Sequence, residues 1–188
     1  MSGTAPAPTT EPVLLLTGSP GVGKTTAARL LAEGAERAVH VESDLFFGFI
    51  RSGYVEPWKP ESHDQNTVVM RIVAGAAAGY ADAGYATIVD GIISPRWFFE
   101  PLRDALRAAG HEVACAVLRA PVEVCLARVA GREGDAELAD RSAIEQLWGD
   151  FADLGPLERH AIEVEGMSAE QVAAELAGRL RRGELACS

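Results

Sequence analysis

Apolar residues run along this chain in two alternating rhythms, short continuous stretches and longer ones that repeat every three or four positions. The stretches at 13–17 (VLLLT), 38–42 (AVHVE), 85–90 (YATIVD), 112–118 (EVACAVL) and 161–165 (AIEVE) have the length and composition of strands. Between them lie runs of good helix formers. One follows residue 25 and stops at Gly34, one spans about 62–83 before Gly84, and one spans 95–109 before Gly110. Three more follow: from Pro121, favoured in a first helical turn, to about 132; from 139 to 151; and from a capping Ser168 to 181. Residues 43–60 are mixed and aromatic and predict a short helix followed by a loop. Strands separated by helices of this length need right-handed crossovers, which predicts a three-layer α/β/α domain on a five-stranded parallel sheet.

The first strand, the turn after it and the next helix contain one pattern in full. Gly18, Ser19, Pro20, Gly21, Val22, Gly23, Lys24 and Thr25 match G-x-x-x-x-G-K-[ST], in the strand–loop–helix setting that the pattern requires. Glycines allow the backbone to curl around a polyphosphate with its N–H groups inward, and the helix N-terminus adds positive potential. Lys24 then supplies a charge for the β- and γ-phosphates, the Thr25 hydroxyl can ligate Mg²⁺, and Thr26 opens the helix beside the nucleotide.

Size and charge narrow the function further. A chain of 188 residues suits one domain, residues 13–183, behind a disordered tail at 1–12. It is small for an AAA-type motor with its extra helical domain, or for a transporter ATPase. A net charge of −10 repels phosphate backbones, so no nucleic-acid partner is expected. The tail lacks the basic start and apolar core of a signal peptide, and no apolar run approaches the ~20 residues needed to span a membrane. Cys115, Cys125 and Cys187 are odd in number and lack metal-ligand spacing, which points to a reducing cytoplasm; Cys115 and Cys125 sit in apolar runs as core residues.

Ligands of open parallel sheets gather at the carboxyl ends of the strands. There the second strand ends in Glu42-Ser43-Asp44 and the third in Asp90-Gly91, so the acidic groups converge beside Lys24. Such carboxylates hold Mg²⁺, with Thr25, Glu42 and Asp90 as the candidate set, or align an acceptor hydroxyl, as expected of Asp44. An N-cap role for Asp44 and ordinary turn chemistry for Asp90 are the plainer alternatives. Arg128 and Arg132 are four apart at the mouth of a short polar segment, about 131–139, that has the character of a lid, with Arg141 beyond it. Guanidinium groups closing over phosphates would neutralise developing charge, whereas Glu133 and Glu137 offer Arg132 simple surface pairing. The aromatic run after Asp44, with Phe47, Tyr54 and Trp58, lines an acceptor pocket or packs as core. Arg51 and Arg96 are candidates for binding the acceptor, and His63 reads as a surface or capping group.

With these residues in place, the chain resembles the small P-loop kinases of metabolites and antibiotics: shikimate kinase, gluconate kinase, chloramphenicol phosphotransferase and the tunicamycin-resistance ATP-binding proteins. The resemblance runs over residues 13–182 and is specific at the loop, at Glu42-Ser43-Asp44 and at Arg128-x-x-x-Arg132. It implies a P-loop NTPase fold and ATP-dependent transfer of the γ-phosphate to a hydroxyl of a small molecule, with Mg²⁺, in a cytoplasmic monomer or homodimer. It also implies that Asp44 orients or deprotonates the acceptor hydroxyl, and that Arg128 and Arg132 contact ATP. Asp90-Gly91 stands where shikimate kinase carries a glycine triplet, which turns the expectation away from shikimate itself. The aromatic run leans it toward a less polar, antibiotic-type acceptor. A regulatory or drug-sequestering ATP-binding protein without acceptor phosphorylation is the alternative.

Overall fold

A computed structural model of the chain describes residues 11–95, 97–131 and 141–187. Five strands, β1 (Val13–Gly18), β2 (Ala38–Glu42), β3 (Ala86–Asp90), β4 (Val113–Arg119) and β5 (Ala161–Glu163), form one parallel sheet in the order β2-β3-β1-β4-β5. The helices are α1 (Lys24–Glu33), α2 (Ser43–Phe47), α3 (His63–Asp82), α4 (Phe99–Ala108), α5 (Val122–Ala130), α6 (Arg141–Gly149) and α7 (Ala169–Arg181). Among the described residues no helix is long and apolar enough to cross a membrane.

The central strand explains the layering. All six residues of β1 are buried, as expected of a strand covered on both faces. Val13 and Leu15 face the core built with α3 and α4, around Val73, Ala77, Leu102 and Leu106. Leu14 and Leu16 face the other, with Ala27 and Ala28 of α1, Cys125 of α5 and Leu176 of α7. Strand alternation thus turns one unbroken apolar run into two cores.

Several boundaries depart from the sequence pattern: β5 ends at Glu163 and not at 165, and α6 ends at Gly149 and not at 151. The helix expected from residue 95 begins at Phe99, because the N–H groups of Trp97, Phe98 and Phe99 all converge on the Ser94 carbonyl and hold a tight turn there. The helix expected to reach 132 ends at Ala130, with Gly131 as its C-cap. Order continues past 183: Leu185 and Cys187 are buried and bonded to β4, Cys115 N–H donating to Leu185 O and Cys187 N–H to Val113 O. The Ser168 cap is present as drawn from sequence, with Gln171 completing a reciprocal capping box.

Candidate active site

The loop keeps its shape through two close approaches. Gly18 turns out of β1 at φ 145°, and a Cβ there would lie 2.3 Å from the Leu118 carbonyl oxygen of β4. Gly21, at φ 76°, would set a Cβ 2.4 Å from the Cys125 carbonyl oxygen of α5. Any side chain at either position would have to push backbone aside. Lys24 opens α1 and is only 7% exposed, its Nζ donating to the Ser19 carbonyl across the loop at 3.0 Å. No acidic residue occupies the first turn of α1, so the positive end of the helix stays uncancelled there.

Asp90, at the end of β3, is 1% exposed. Its Oδ1 accepts from Thr25 Oγ1 at 3.4 Å, and its Oδ2 lies 2.6 Å from His40 Nε2. Strand pairing puts Glu42 opposite Asp90 and brings Leu16 alongside, so β2, β3 and the loop meet at this carboxylate. A hydroxyl and carboxylates are hard oxygen donors, and this set fits Mg²⁺. His40 is a residue that sequence reasoning passed over. Its signal was the two-residue period of β2, which puts positions 40 and 42 on one side of the strand.

Asp44 is exposed in the first turn of α2. It is not the N-cap: Glu42 holds that position, without a side-chain capping bond. Its placement depends on Gly91, where a Cβ would meet Ser43 Oγ at 1.8 Å and Ser43 Cβ at 3.0 Å. Gly91→Ala is therefore expected to cost about 1–3 kcal/mol in urea unfolding, through overpacking against the buried Ser43. Adding Ser43→Ala should recover part of that loss. Wild-type stability in the single variant would mean that Ser43 yields freely and that the contact fixes nothing.

A cavity of about 970 Å³ opens beside the loop. Thr25, Glu42 and Asp44 line one part, and Phe47, Tyr54, Trp58, Trp97 and Phe98 give it aromatic walls. The Pro-rich segment carrying Tyr54 and Trp58 is held by side chains of α3 and the turn before it. Gln65 donates to the Val55 carbonyl at 2.6 Å and accepts from its N–H at 2.9 Å, while Asn66 and Ser62 donate to the Pro57 carbonyl at 2.8 and 2.9 Å. His63 is exposed at the start of α3, as a surface group would be, and it also lines the cavity, stacking on Phe98 at 6.1 Å between ring centroids and meeting Trp97 edge-on at 6.4 Å. Trp97 and Phe98 reach the cavity from the turn around Ser94, in place of the helix expected there.

Not every candidate comes to this site. Arg51 is exposed and does not line the cavity; it lies in the loop beyond α2. Arg141 is 71% exposed on its side chain and pairs with Glu145 at 2.8 Å, one turn along α6. Arg128, in the last turn of α5, donates through Nη1 to the Val22 carbonyl of the loop at 3.0 Å. Arg96, Arg132, the remainder of the lid segment from 132 to 139, and the tail before residue 11 lie outside the described residues.

A family model described as an AAA domain matches residues 13–154. Among solved structures, the APS kinase CysC of Mycobacterium tuberculosis, solved with AMPPNP and APS, superposes with a TM-score of 0.70 at 18% identity, over 94% of this chain and 99% of that one. A sugar kinase from a Janibacter species gives 0.67 at 22% identity, over 95% and 99%. The tunicamycin resistance protein of Deinococcus radiodurans gives 0.66 at 20% identity, over 90% and 95%. At these identities the likeness is one of fold, and the fold is that of the kinase group the loop resembles. The Holliday junction branch migration complex subunit RuvA of Salmonella paratyphi B is 36% identical over 91 residues; the match spans 48% of this chain and 44% of that relative, less than half of either.

Proposed function

This chain belongs to the AAA domain family, and from that membership we propose that it is an ATP-dependent phosphotransferase that moves the γ-phosphate to a hydroxyl of a small molecule. The observation that carries the proposal is the cavity. A space of about 970 Å³ with Thr25, Glu42 and Asp44 on one side and aromatic rings on the other has the size and lining of a small-molecule site, set against the phosphate loop. The net charge of −10 also favours a small acceptor over a nucleic acid.

Each residue then has a task. Lys24 and the loop N–H groups bind the phosphates. Mg²⁺, held by Thr25 with Asp90 and Glu42, would neutralise charge on the β- and γ-phosphates. Asp90 is suited to a fixed role, since Thr25 and His40 engage its two oxygens. Asp44, exposed and lining the cavity, aligns the acceptor hydroxyl and takes up its proton. The aromatic walls, Phe47 among them, select a less polar acceptor, with an antibiotic scaffold one such class. A coupled ADP-release screen over hydroxylated metabolites, nucleosides and antibiotics tests this, with turnover stimulated by one acceptor class as the expected result. MgATP binding with slow hydrolysis that no acceptor raises would return the protein to a regulatory or sequestering role.

Arg128 gives a narrower prediction. Its bond to the Val22 carbonyl braces the loop and sets its charge beside the turn that we assign to the phosphates. A charged hydrogen bond from Arg128 to the phosphates as they react would be worth about 1.5–3 kcal/mol, so Arg128→Ala should lower kcat roughly 10–100-fold. KM for ATP should rise less, because the contact matters most as charge develops. Unchanged kcat would leave Arg128 as a structural brace alone.

A further inference from the structure

Nearer the amino-terminal end of β4 is a group of soft ligands that nucleotide chemistry does not use. Sγ of Cys115, Sγ of Cys187 and a ring nitrogen of His160 lie within 4.8 Å of one another, and all three residues are buried. They come from three places: Cys115 from β4, Cys187 from the segment that follows α7, and His160 from the end of the 3₁₀ segment (Gly155–His160) before β5.

His160 makes the group more than core packing. It is 1% exposed; Nε2 accepts from Arg159 Nε at 2.9 Å, yet Nδ1 has no hydrogen-bond partner. An orphaned buried polar atom is costly to keep. Burial, and then the Arg159 charge, hold the imidazole below its ordinary pKa, so the ring is neutral and able to ligate.

A disulfide explains the group less well. Ala114 pairs with Ala186 in antiparallel sense, which makes Cys115 and Cys187 diagonal neighbours on one face and not an opposed pair. Diagonal neighbours are roughly 7–8 Å apart, at or beyond the ~7 Å span a disulfide tolerates without backbone movement. A bridging ion has no such difficulty. Metal–sulfur and metal–nitrogen bonds of about 2.3 and 2.0 Å hold ligand atoms roughly 3.5–4 Å apart, a small contraction from the spacing here.

We propose that Cys115, Cys187 and His160 form a binding site for a thiophilic closed-shell metal ion, of the Cu⁺ or Zn²⁺ class, that ties the segment after α7 to β4. Two thiolates and one imidazole make a soft, three-coordinate set. Binding displaces the thiol protons of Cys115 and Cys187 to solvent and moves the imidazole proton from Nδ1 to Nε2. The exposed Arg159, which now donates to Nε2, must turn away.

The reduced full chain is titrated anaerobically with Cu⁺ against a chromophoric Cu⁺ chelator, and separately with Co²⁺ as a spectroscopic stand-in for Zn²⁺. One equivalent of either ion should bind, and Co²⁺ would show a thiolate-to-metal charge-transfer band. Cys187→Ser and His160→Gln should each weaken binding at least ~10-fold, the lower end seen even for residues behind a metal's direct ligands. Arg159→Met removes the donor to His160 Nε2 while leaving all three ligands in place and should tighten binding, a result that simple loss of folding cannot produce. MgATP affinity should stay unchanged in Cys187→Ser and report that the fold is intact. Failure of the reduced wild-type chain to hold either ion at micromolar concentration, or equal binding by Cys187→Ser, overturns the proposal. A Cys115–Cys187 disulfide whose reduced form binds no metal does so equally.

Discussion

Lys24→Ala is expected to abolish measurable phosphoryl transfer and to weaken MgATP binding. Lys24 is nearly buried, and its ammonium already lies across the loop on the Ser19 carbonyl, so it reaches the phosphates with little reorganisation. The charge acts where water is largely excluded, and removal of one such preorganised donor typically lowers kcat by ~10²–10³-fold. Here the loss falls on the ground state as well, because the β-phosphate needs a counter-charge before and after transfer. Gly18 and Gly21 keep the loop shape without the lysine, so the variant should remain folded, with a thermal midpoint near that of the wild type. Titration calorimetry and single-turnover transfer on one preparation separate the two effects. Wild-type MgATP affinity together with wild-type transfer would make the loop a structural turn.

Asp44→Asn should lower transfer to the acceptor while leaving nucleotide binding almost intact. The side chain is exposed at the cavity wall, and its Oδ1 accepts from Ser43 Oγ at 3.5 Å, a bond that an amide oxygen can keep. The substitution removes the charge while keeping the side chain's shape. In a loose transition state the acceptor proton leaves late, so the carboxylate chiefly aligns the hydroxyl and receives its proton as the new bond completes. A positioned base of this kind contributes ~10²–10⁴-fold, and the variant should lose about that much. Ground-state acceptor affinity should change far less. Transfer at the wild-type rate would place the base elsewhere. The neighbouring carboxylate, Asp90, is buried and engaged by Thr25 and His40, which makes it a poor mobile base.

What could be read from the chain beforehand follows from how local each signal is. The five strands, the glycine loop and the Ser168 cap are written in neighbouring residues, and all appear where the pattern puts them. The turn at 94–98 was hidden because Pro95 suits a helix start equally well; the choice was made by three N–H groups converging on one carbonyl. Arg141 looked like a lid residue by position, but the helix period gave it Glu145 as a nearer partner. His40 could have been found, since alternation along β2 points it the same way as Glu42. The Cys115, His160 and Cys187 group could not. Ligand spacing in sequence identifies sites built on one hairpin or helix, and these three meet only because the segment after α7 runs back along β4.

The sheet order has a consequence for how the protein comes into being on the ribosome. β1 is central, yet its two neighbours are β3 and β4, so Leu14 must wait for Ile88 on one side and Ala114 on the other. At synthesis rates of roughly 5–20 residues per second, the most apolar strand of the chain stays unpaired on both edges for on the order of several seconds. Gly18 packs beneath the Leu118 carbonyl and Gly21 beneath that of Cys125, so the nascent loop cannot take its final form until β4 and the start of α5 have emerged. Nucleotide capture during translation would therefore mark the moment at which the middle of the sheet closes.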